Sequence, residues 1–364
     1  MALIDKLTAI ANAIRSKTGS TDPMSLDDMP TAIEGIQSGG GATEPYIEET
    51  YDSSGNLIDV NMVGHTKIRS YMFATCSELA LTSLPSGITS IGNYAFNSCT
   101  NLALTSLPSG ITSIGTYAFY GCSNLALTDL PSGITSIGKY AFRNCTKLTL
   151  TSLPSGVTSI GEYTFYGCIN LELTSLPSGV TSIGTYAFYN CSNLALTSLP
   201  KDITSIGTYT FYNCSNLALT DLPWNIASIG NYAFYNCSNL ALTTLYYGLK
   251  SIGNNAFNGC TNLALTSFPN SITSIGQYAF RGCTKLPSTI VLPSSLTTLQ
   301  DGAFKDVNVT TITFKRKVTS LTNRMLQTAD YPYLTTINVP WSEGEVNYAP
   351  WGATNATINY NYTG

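Results

Sequence analysis

The amino-acid sequence predicts a repeat solenoid, a stack of 23-residue coils made of short β-strands with helical or 3-10 turns, preceded by an α-helical N-terminal segment. Three observations carry this. Cysteines stand at positions 76, 99, 122, 145, 168, 191, 214, 237, 260 and 283, a spacing of 23 every time. Nine near-identical units run from Thr82 to Ser288, and a fixed period of this size marks units that bury their apolar face only by stacking on neighbours. Residues 1–37 lack the repeat and instead carry Leu3, Leu7, Ile10 and Ile14 at spacings of four, three and four, the apolar stripe of a helix.

Taken in order, the first helix runs about four turns and ends near Thr18-Gly19, and a shorter apolar segment follows from Ser25 to Ile36. Thirty-seven residues are too few for an independent core. Residues 1–37 are therefore expected to anchor on a partner or to self-associate. Residues 38–45 contain Ser38-Gly-Gly-Gly-Ala42, a flexible linker. Residues 46–81 should form a β-hairpin around Asp52-Ser-Ser-Gly-Asn56 and a half repeat with Ile68, Phe73, Cys76 and Leu79 in register. Residues 82–314 are the solenoid. In each unit Leu102, Leu104, Leu107, Ile111, Ile114, Phe119, Cys122 and their equivalents face inward. Pro108-Ser-Gly110 is a turn, and Tyr117-Ala-Phe-Tyr120 one helical or 3-10 turn. Residues 315–364, with Trp341 and Pro350-Trp351-Gly352, are the C-terminal cap.

Composition excludes several functions. Only 10% of the 364 residues are charged, against roughly 25% in a typical globular protein, so Ser, Thr, Asn and Tyr must make the surface. A formal charge of −4 offers no electrostatic footprint for nucleic acid. No apolar run approaches the roughly 20 residues of a membrane span. The start, with Asp5 and Lys6, does not read as a secretory signal. His65 is the one histidine, which weighs against triads and zinc sites. The glycines follow the repeat and form no phosphate loop, so no cofactor is predicted. The cysteine ladder admits disulfides between coils, a metal site or a row of buried thiols. A line of parallel side chains favours the last, with all ten reduced and inaccessible. Asp129 and Asp221 lie four coils apart, Glu162 and Glu172 sit on different segments of one coil, and Asp202 has no carboxylate neighbour at its repeat position. Glycoside cleavage, which needs two carboxyl groups close together, is left with Glu343 and Glu345 as its least unsuitable pair.

Ser113-Ile-Gly115, Ala118-Phe119 and Cys122, recurring in every coil, resemble the bacterial BspA-like leucine-rich repeats over about 250 residues, from near Val60 to Phe314. That resemblance implies surface adhesion and protein or glycan binding, not catalysis. The stretch from Leu3 to Ile36, with Lys17-Thr-Gly-Ser-Thr-Asp-Pro-Met-Ser-Leu26, and the endings Trp341-Ser-Glu-Gly344 and Ala349-Pro-Trp-Gly352, are similar to terminal segments of minor tail and receptor-binding proteins of tailed phages and prophages. This second resemblance implies a virion protein assembled in the host cytoplasm, docked to a tail or baseplate component through residues 1–37, and trimeric.

Two surface features remain. Tyrosine fills one position at 94, 117, 140, 163, 186, 209, 232 and 278, and a second column holds Tyr120, Tyr166, Tyr189, Tyr212 and Tyr235. Both columns are read as exposed, either stacking along the solenoid or forming an amphipathic binding stripe. Five coils keep Pro-Ser-Gly, and the next four read Pro200-Lys-Asp, Pro223-Trp-Asn, Tyr246-Tyr-Gly and Pro269-Asn-Ser. A ligand longer than one coil finds its register only where coils differ. Trp224, Tyr246, Tyr247, Lys201, Asp202 and Asn225, with Tyr189, Tyr212 and Tyr235, are therefore the predicted ligand-binding residues. Trp224 and Tyr247 are expected to stack about 5 Å apart at sheet spacing. The function expected is a non-enzymatic, tail-associated receptor-binding protein for a host-surface carbohydrate or protein; the alternatives are a bacterial cell-surface adhesin and a polysaccharide depolymerase.

Overall fold

The computed structural model describes residues 45–363 apart from 319, 320 and 323. The helix expected within residues 1–37, and the self-association built on it, lie outside the described residues. Those described fall into two compact units. One holds residues 45–47 and 62–64, and the other residues 48–61 and 65–363.

Strands β1 (Tyr46–Tyr51) and β2 (Leu57–Val63) pair as a hairpin. Its turn is tied by Asp52, whose Oδ1 accepts the N–H groups of Ser54 and Asn56 at 2.8 and 2.9 Å. One strand per coil follows: β3 (Lys67–Ile68), β4 (Ser90–Ile91), β5 (Ser113–Ile114), β6 (Ser136–Ile137), β7 (Ser159–Ile160), β8 (Ser182–Ile183), β9 (Ser205–Ile206), β10 (Ser228–Ile229), β11 (Ser251–Ile252), β12 (Ser274–Ile275) and β14 (Thr298–Leu299). A second parallel ladder holds β13 (Thr289–Leu292), β15 (Thr311–Phe314), β16 (Thr336–Asn338) and β17 (Thr357–Asn359). Coiling thus continues to residue 359, inside the segment expected to be a cap, for about 13 turns in all.

No helix occurs among the described residues. The fold is a β-solenoid, and the expected helical or 3-10 turn at Tyr117–Tyr120 is not one. The hydrogen bonds give the reason. The N–H groups of Tyr117, Phe119 and Gly121 donate to Lys139, Ala141 and Arg143 of the next coil, at 3.0, 2.8 and 2.7 Å. Those of Ala118, Tyr120 and Cys122 close turns inside the coil, onto Gly115, Tyr117 and Phe119. A helix would direct every N–H along its own axis; here alternate donors run between coils. That alternation needs left-handed backbone, at φ 57° for Tyr117 and 72° for Gly121. For a non-glycine residue such backbone costs on the order of 1 kcal/mol, offset by the hydrogen bonds and ring contacts it permits.

The core follows the repeat. Leu102, Leu104, Ile111, Ile114, Ala118, Phe119 and Cys122 are buried, as are their counterparts along the stack, except that His65, Met72 and Cys76 of the first coil are half-buried. Phenylalanine rings from Phe73 to Phe280 stack coil on coil, with centroids 5.3 to 5.6 Å apart. At the start of the stack, Ile58 of β2 accepts the Ala80 N–H at 3.0 Å. Leu81 does the same for Ala103, so β2 serves as the coil before the first.

The strand ladder opens in two places, between β6 and β7 and between β8 and β9. In the other coils the glycine after the strand donates to the isoleucine one coil back, as Gly115 does to Ile91 at 2.8 Å. The fit is close: a Cβ added at Gly138 would lie 2.4 Å from the Thr116 nitrogen. At Gly161 and Gly207 the bond is missing among the described residues, and an added Cβ would stand 3.1 Å or more from its neighbours. These two coils carry Thr164 and Thr210 where the others carry alanine. Each hydroxyl is buried and donates to Gly161 or Gly207 at 3.0 Å, with a longer contact across the seam to Gly138 or Gly184 at 3.4 Å, and so stands between the coils where the glycine bond would close. The double change Thr164→Ala and Thr210→Ala should close both seams and raise the melting temperature by a few degrees, with a regained bond worth about 1 kcal/mol each. Thermal unfolding of the full chain checks this, and a lowered melting temperature would show that the hydroxyls stabilise.

Candidate functional site

The tyrosines predicted as exposed are half-buried. Eight rings from Tyr71 to Tyr232 stack in one column, with centroids 4.3 to 4.7 Å apart and planes within 14° of parallel. Tyr71, one coil before the series read from the sequence, begins it. Tyr166, Tyr189, Tyr212 and Tyr235 form the second column at 4.6 Å spacing. Tilted contacts of about 5.6 to 6.3 Å join the two columns. Ring faces are thus covered by other rings, each pair worth roughly 0.5 to 1.5 kcal/mol beyond area burial. Tyr189 and Tyr212, with a ring stacked on either face, contact the surroundings through edges and hydroxyls, and Tyr235 ends the column with a ring stacked on one face.

The broken-repeat corner is different. Trp224 is 69% exposed, Tyr247 78% and Tyr246 41%. Lys201 and Asp202 are exposed one coil earlier. Among the described residues Trp224 and Tyr247 make no ring contact with each other, so the expected stacked pair is instead two separate aromatic posts. Tyr246 donates its hydroxyl to Asp221 Oδ1 at 3.3 Å. Asn225, expected to hydrogen-bond a ligand, is half-buried. In the amide orientation that satisfies both bonds, its Nδ2 donates to the carbonyls of Lys201 and Ile203 at 3.0 Å. That side chain is committed to holding two coils together.

Sequence reasoning missed a shallow open groove of about 410 Å³ on the strand face, lined by residues that include Ser228, Ser251, Ser274, Asn231, Asn254 and Gln300. The amide oxygens of Asn231 and Asn254 accept the N–H groups of Asn254 and Gln277 one coil on, at 2.8 and 2.9 Å. The Gly-Asn pairs at 230–231 and 253–254, where most other coils have Gly followed by Thr, Lys or Glu, were the available signal.

All ten cysteines are free. Each thiol from Cys99 to Cys283 donates to the phenylalanine carbonyl of the preceding coil, as Cys122 does to Phe96 at 3.0 Å. Burial raises these thiols above their ordinary range, Cys99 to about 12. Cys76 is only half-buried, which corrects the expectation of ten inaccessible thiols. His65 Nε2 is buried without a hydrogen-bond partner. Among the described residues no group of three His, Cys, Asp or Glu side chains could hold a metal ion. Glu345 is paired with Lys317 at 2.9 Å, which lowers its carboxyl from the ordinary value, opposite to what a general acid needs. Trp341 and Trp351 are buried and pack edge to face, 6.2 Å apart. No helix among the described residues is long and apolar enough to cross a membrane.

Parallel coils stacked on a continuous buried core define a repeat scaffold. The family model of the BspA type leucine rich repeat region matches residues 66–195, 136–264 and 204–331, and the chain belongs to that family. Similar solved structures include a leucine-rich repeat protein from Bacteroides ovatus, at 20% identity and TM-score 0.52 over 88% of this chain and 99% of that one. The pneumococcal vaccine antigen PcpA aligns at 18% identity and TM-score 0.50 over 85% and 76%. A leucine rich cell surface protein from Faecalibacterium prausnitzii aligns at 21% identity and TM-score 0.41 over 89% and 96%. At these identities the likeness concerns the fold alone. No curated protein matches the sequence.

The thiol ladder makes two measurable demands. A thiol reagent should modify Cys76 alone in the native protein and ten thiols in denaturant; several fast-reacting thiols in the native state would contradict the burial. Above about pH 9, the ordinary value, an unfolded chain loses thiol protons that the folded chain keeps. The thiol contribution is therefore full below that pH and is lost as pH rises. Melting temperature should fall steeply between pH 9 and 11, and a flat profile there would refute the assignment.

Proposed function

We propose that the chain is a non-enzymatic adhesion module of a bacterial cell surface that binds a host-surface glycan or protein at the corner formed by Trp224, Tyr246 and Tyr247, flanked by Lys201 and Asp202. One observation carries this reading. In a stack of coils whose phenylalanine and tyrosine rings from Phe73 to Tyr235 are buried or half-buried, two large aromatic side chains at one repeat position of adjacent coils stand 69% and 78% exposed. Such residues are the usual anchors of sugar rings and protein hot spots. Membership of the BspA-type repeat family supports the surface reading over the tail-associated one. The Trp341 and Trp351 motifs that suggested a phage tail are accounted for by core packing, and residues 1–37 lie outside the family match. The depolymerase alternative loses its carboxylate pair to the Lys317 bridge.

The double change Trp224→Ala and Tyr247→Ala should weaken binding to host cells or to a glycan array by at least tenfold, about 1.4 kcal/mol. Melting temperature should stay within a few degrees, because neither side chain belongs to the core. Tyr94→Ala with Tyr117→Ala should lower the melting temperature and spare binding. Equal losses of binding from both pairs would transfer the site to the tyrosine columns.

A further inference from the structure

We propose that Arg143 and the tyrosines around it form a binding site for an acidic glycan, with the guanidinium taking a carboxylate or sulfate group of the sugar chain. Arg143 occupies the second tyrosine column, between Tyr120 and Tyr166, at the one position where that run of rings is interrupted before Asn258. Its Cζ lies 5.4 Å from the Tyr120 ring centroid and 4.6 Å from that of Tyr166. The first column approaches it too, through Tyr163 at 5.4 Å and Tyr140 at 5.9 Å. Four rings therefore hold one planar cation.

Its partners are unaccounted for. Guanidinium carries five N–H donors. Nε of Arg143 is buried with no acceptor, and among the described residues no hydrogen bond or ion pair satisfies the rest. Arg281 stands at the same repeat position six coils later, and there the charge is met by Asp306 at 2.8 Å. The carboxylate of Glu162, beside Tyr163 in sequence, is already held by Lys139 at 3.0 Å. Arg143 is thus a cation fixed by rings with its counter-charge missing, while its sister has one. A planar fork of this kind matches a carboxylate or sulfate with two parallel hydrogen bonds.

The surroundings favour a sugar chain over an acidic peptide. Between Tyr120 and Tyr235 the facing ring surfaces are covered by each other or by the guanidinium, so no apolar pocket opens between these coils for a side chain. The hydroxyls of Tyr120 and Tyr166 make no hydrogen bond among the described residues, and the second column continues as a row of rings at 4.6 Å spacing. A row of phenol hydroxyls beside a cation suits a polyhydroxylated anion. This site is separate from the Trp224 corner, and the inference does not rest on that reading.

The test is titration calorimetry of the full chain with oligogalacturonate, dextran sulfate, neutral dextran and polyglutamate. Wild type is compared with Arg143→Tyr, Arg143→Lys and Arg281→Tyr. Arg143→Tyr completes the column as in the coils that follow, so it should keep the melting temperature while removing the charge. At least one acidic glycan should bind wild type, and Arg143→Tyr should weaken it at least tenfold. Arg143→Lys should fall between, Arg281→Tyr should match wild type, and neutral dextran should not bind. Preference for oligogalacturonate or for dextran sulfate identifies the group bound as carboxylate or sulfate. Unchanged affinity in Arg143→Tyr, no binding of either acidic glycan to wild type, or tighter binding of polyglutamate would each overturn the proposal.

Discussion

Backbone hydrogen bonds between coils govern everything else in this molecule. The N–H of a residue such as Phe119 has no acceptor inside its own coil; it donates to Ala141 of the next. Unpaired buried amides are costly, so a coil out of register would strand several at once. The constant spacing of 23 is the consequence. Left-handed tyrosines follow from it, because Tyr117 must turn its amide toward Lys139 while Ala118 turns back to Gly115. So do the glycines after the strands, where a side chain would strike the preceding coil.

That constraint explains which parts of the structure were legible. The inward set of Leu102, Leu104, Ile111, Ile114, Phe119 and Cys122 could be read because identical apolar positions in every unit have only the core to go to. The hairpin at residues 46–63 could be read from its turn residues. The helical turn could not be rejected, since Tyr-Ala-Phe-Tyr satisfies helical spacing and nothing in a tyrosine announces positive φ. Half-burial of the tyrosine columns was hidden for the same reason: rings that look like a surface stripe in one coil cover each other in eight.

The candidate site was partly legible on similar grounds. A break in the repeat at Trp224 and Tyr247 removes the side chain from the stacking rule, and exposure follows. Asn225 sits in the same break but points at two carbonyls of the previous coil, a contact that only the folded arrangement reveals. Thr164 and Thr210 differ from alanine by what looks like drift, yet each hydroxyl opens the strand ladder.

Core and surface therefore vary independently in this architecture. The first tyrosine position shares its backbone with the inter-coil bonds and changes little, to Asn255 in one coil. The second position carries Asn97, Tyr120, Arg143, Tyr166, Asn258 and Arg281 in different coils without a change in the alternation of bonds beside it. A column that accepts amide, phenol and guanidinium is free to acquire recognition chemistry one coil at a time, because each substitution leaves the register of the others intact. Arg143 and Arg281 show the two outcomes: one cation closed by Asp306 within the protein, the other held open by four rings.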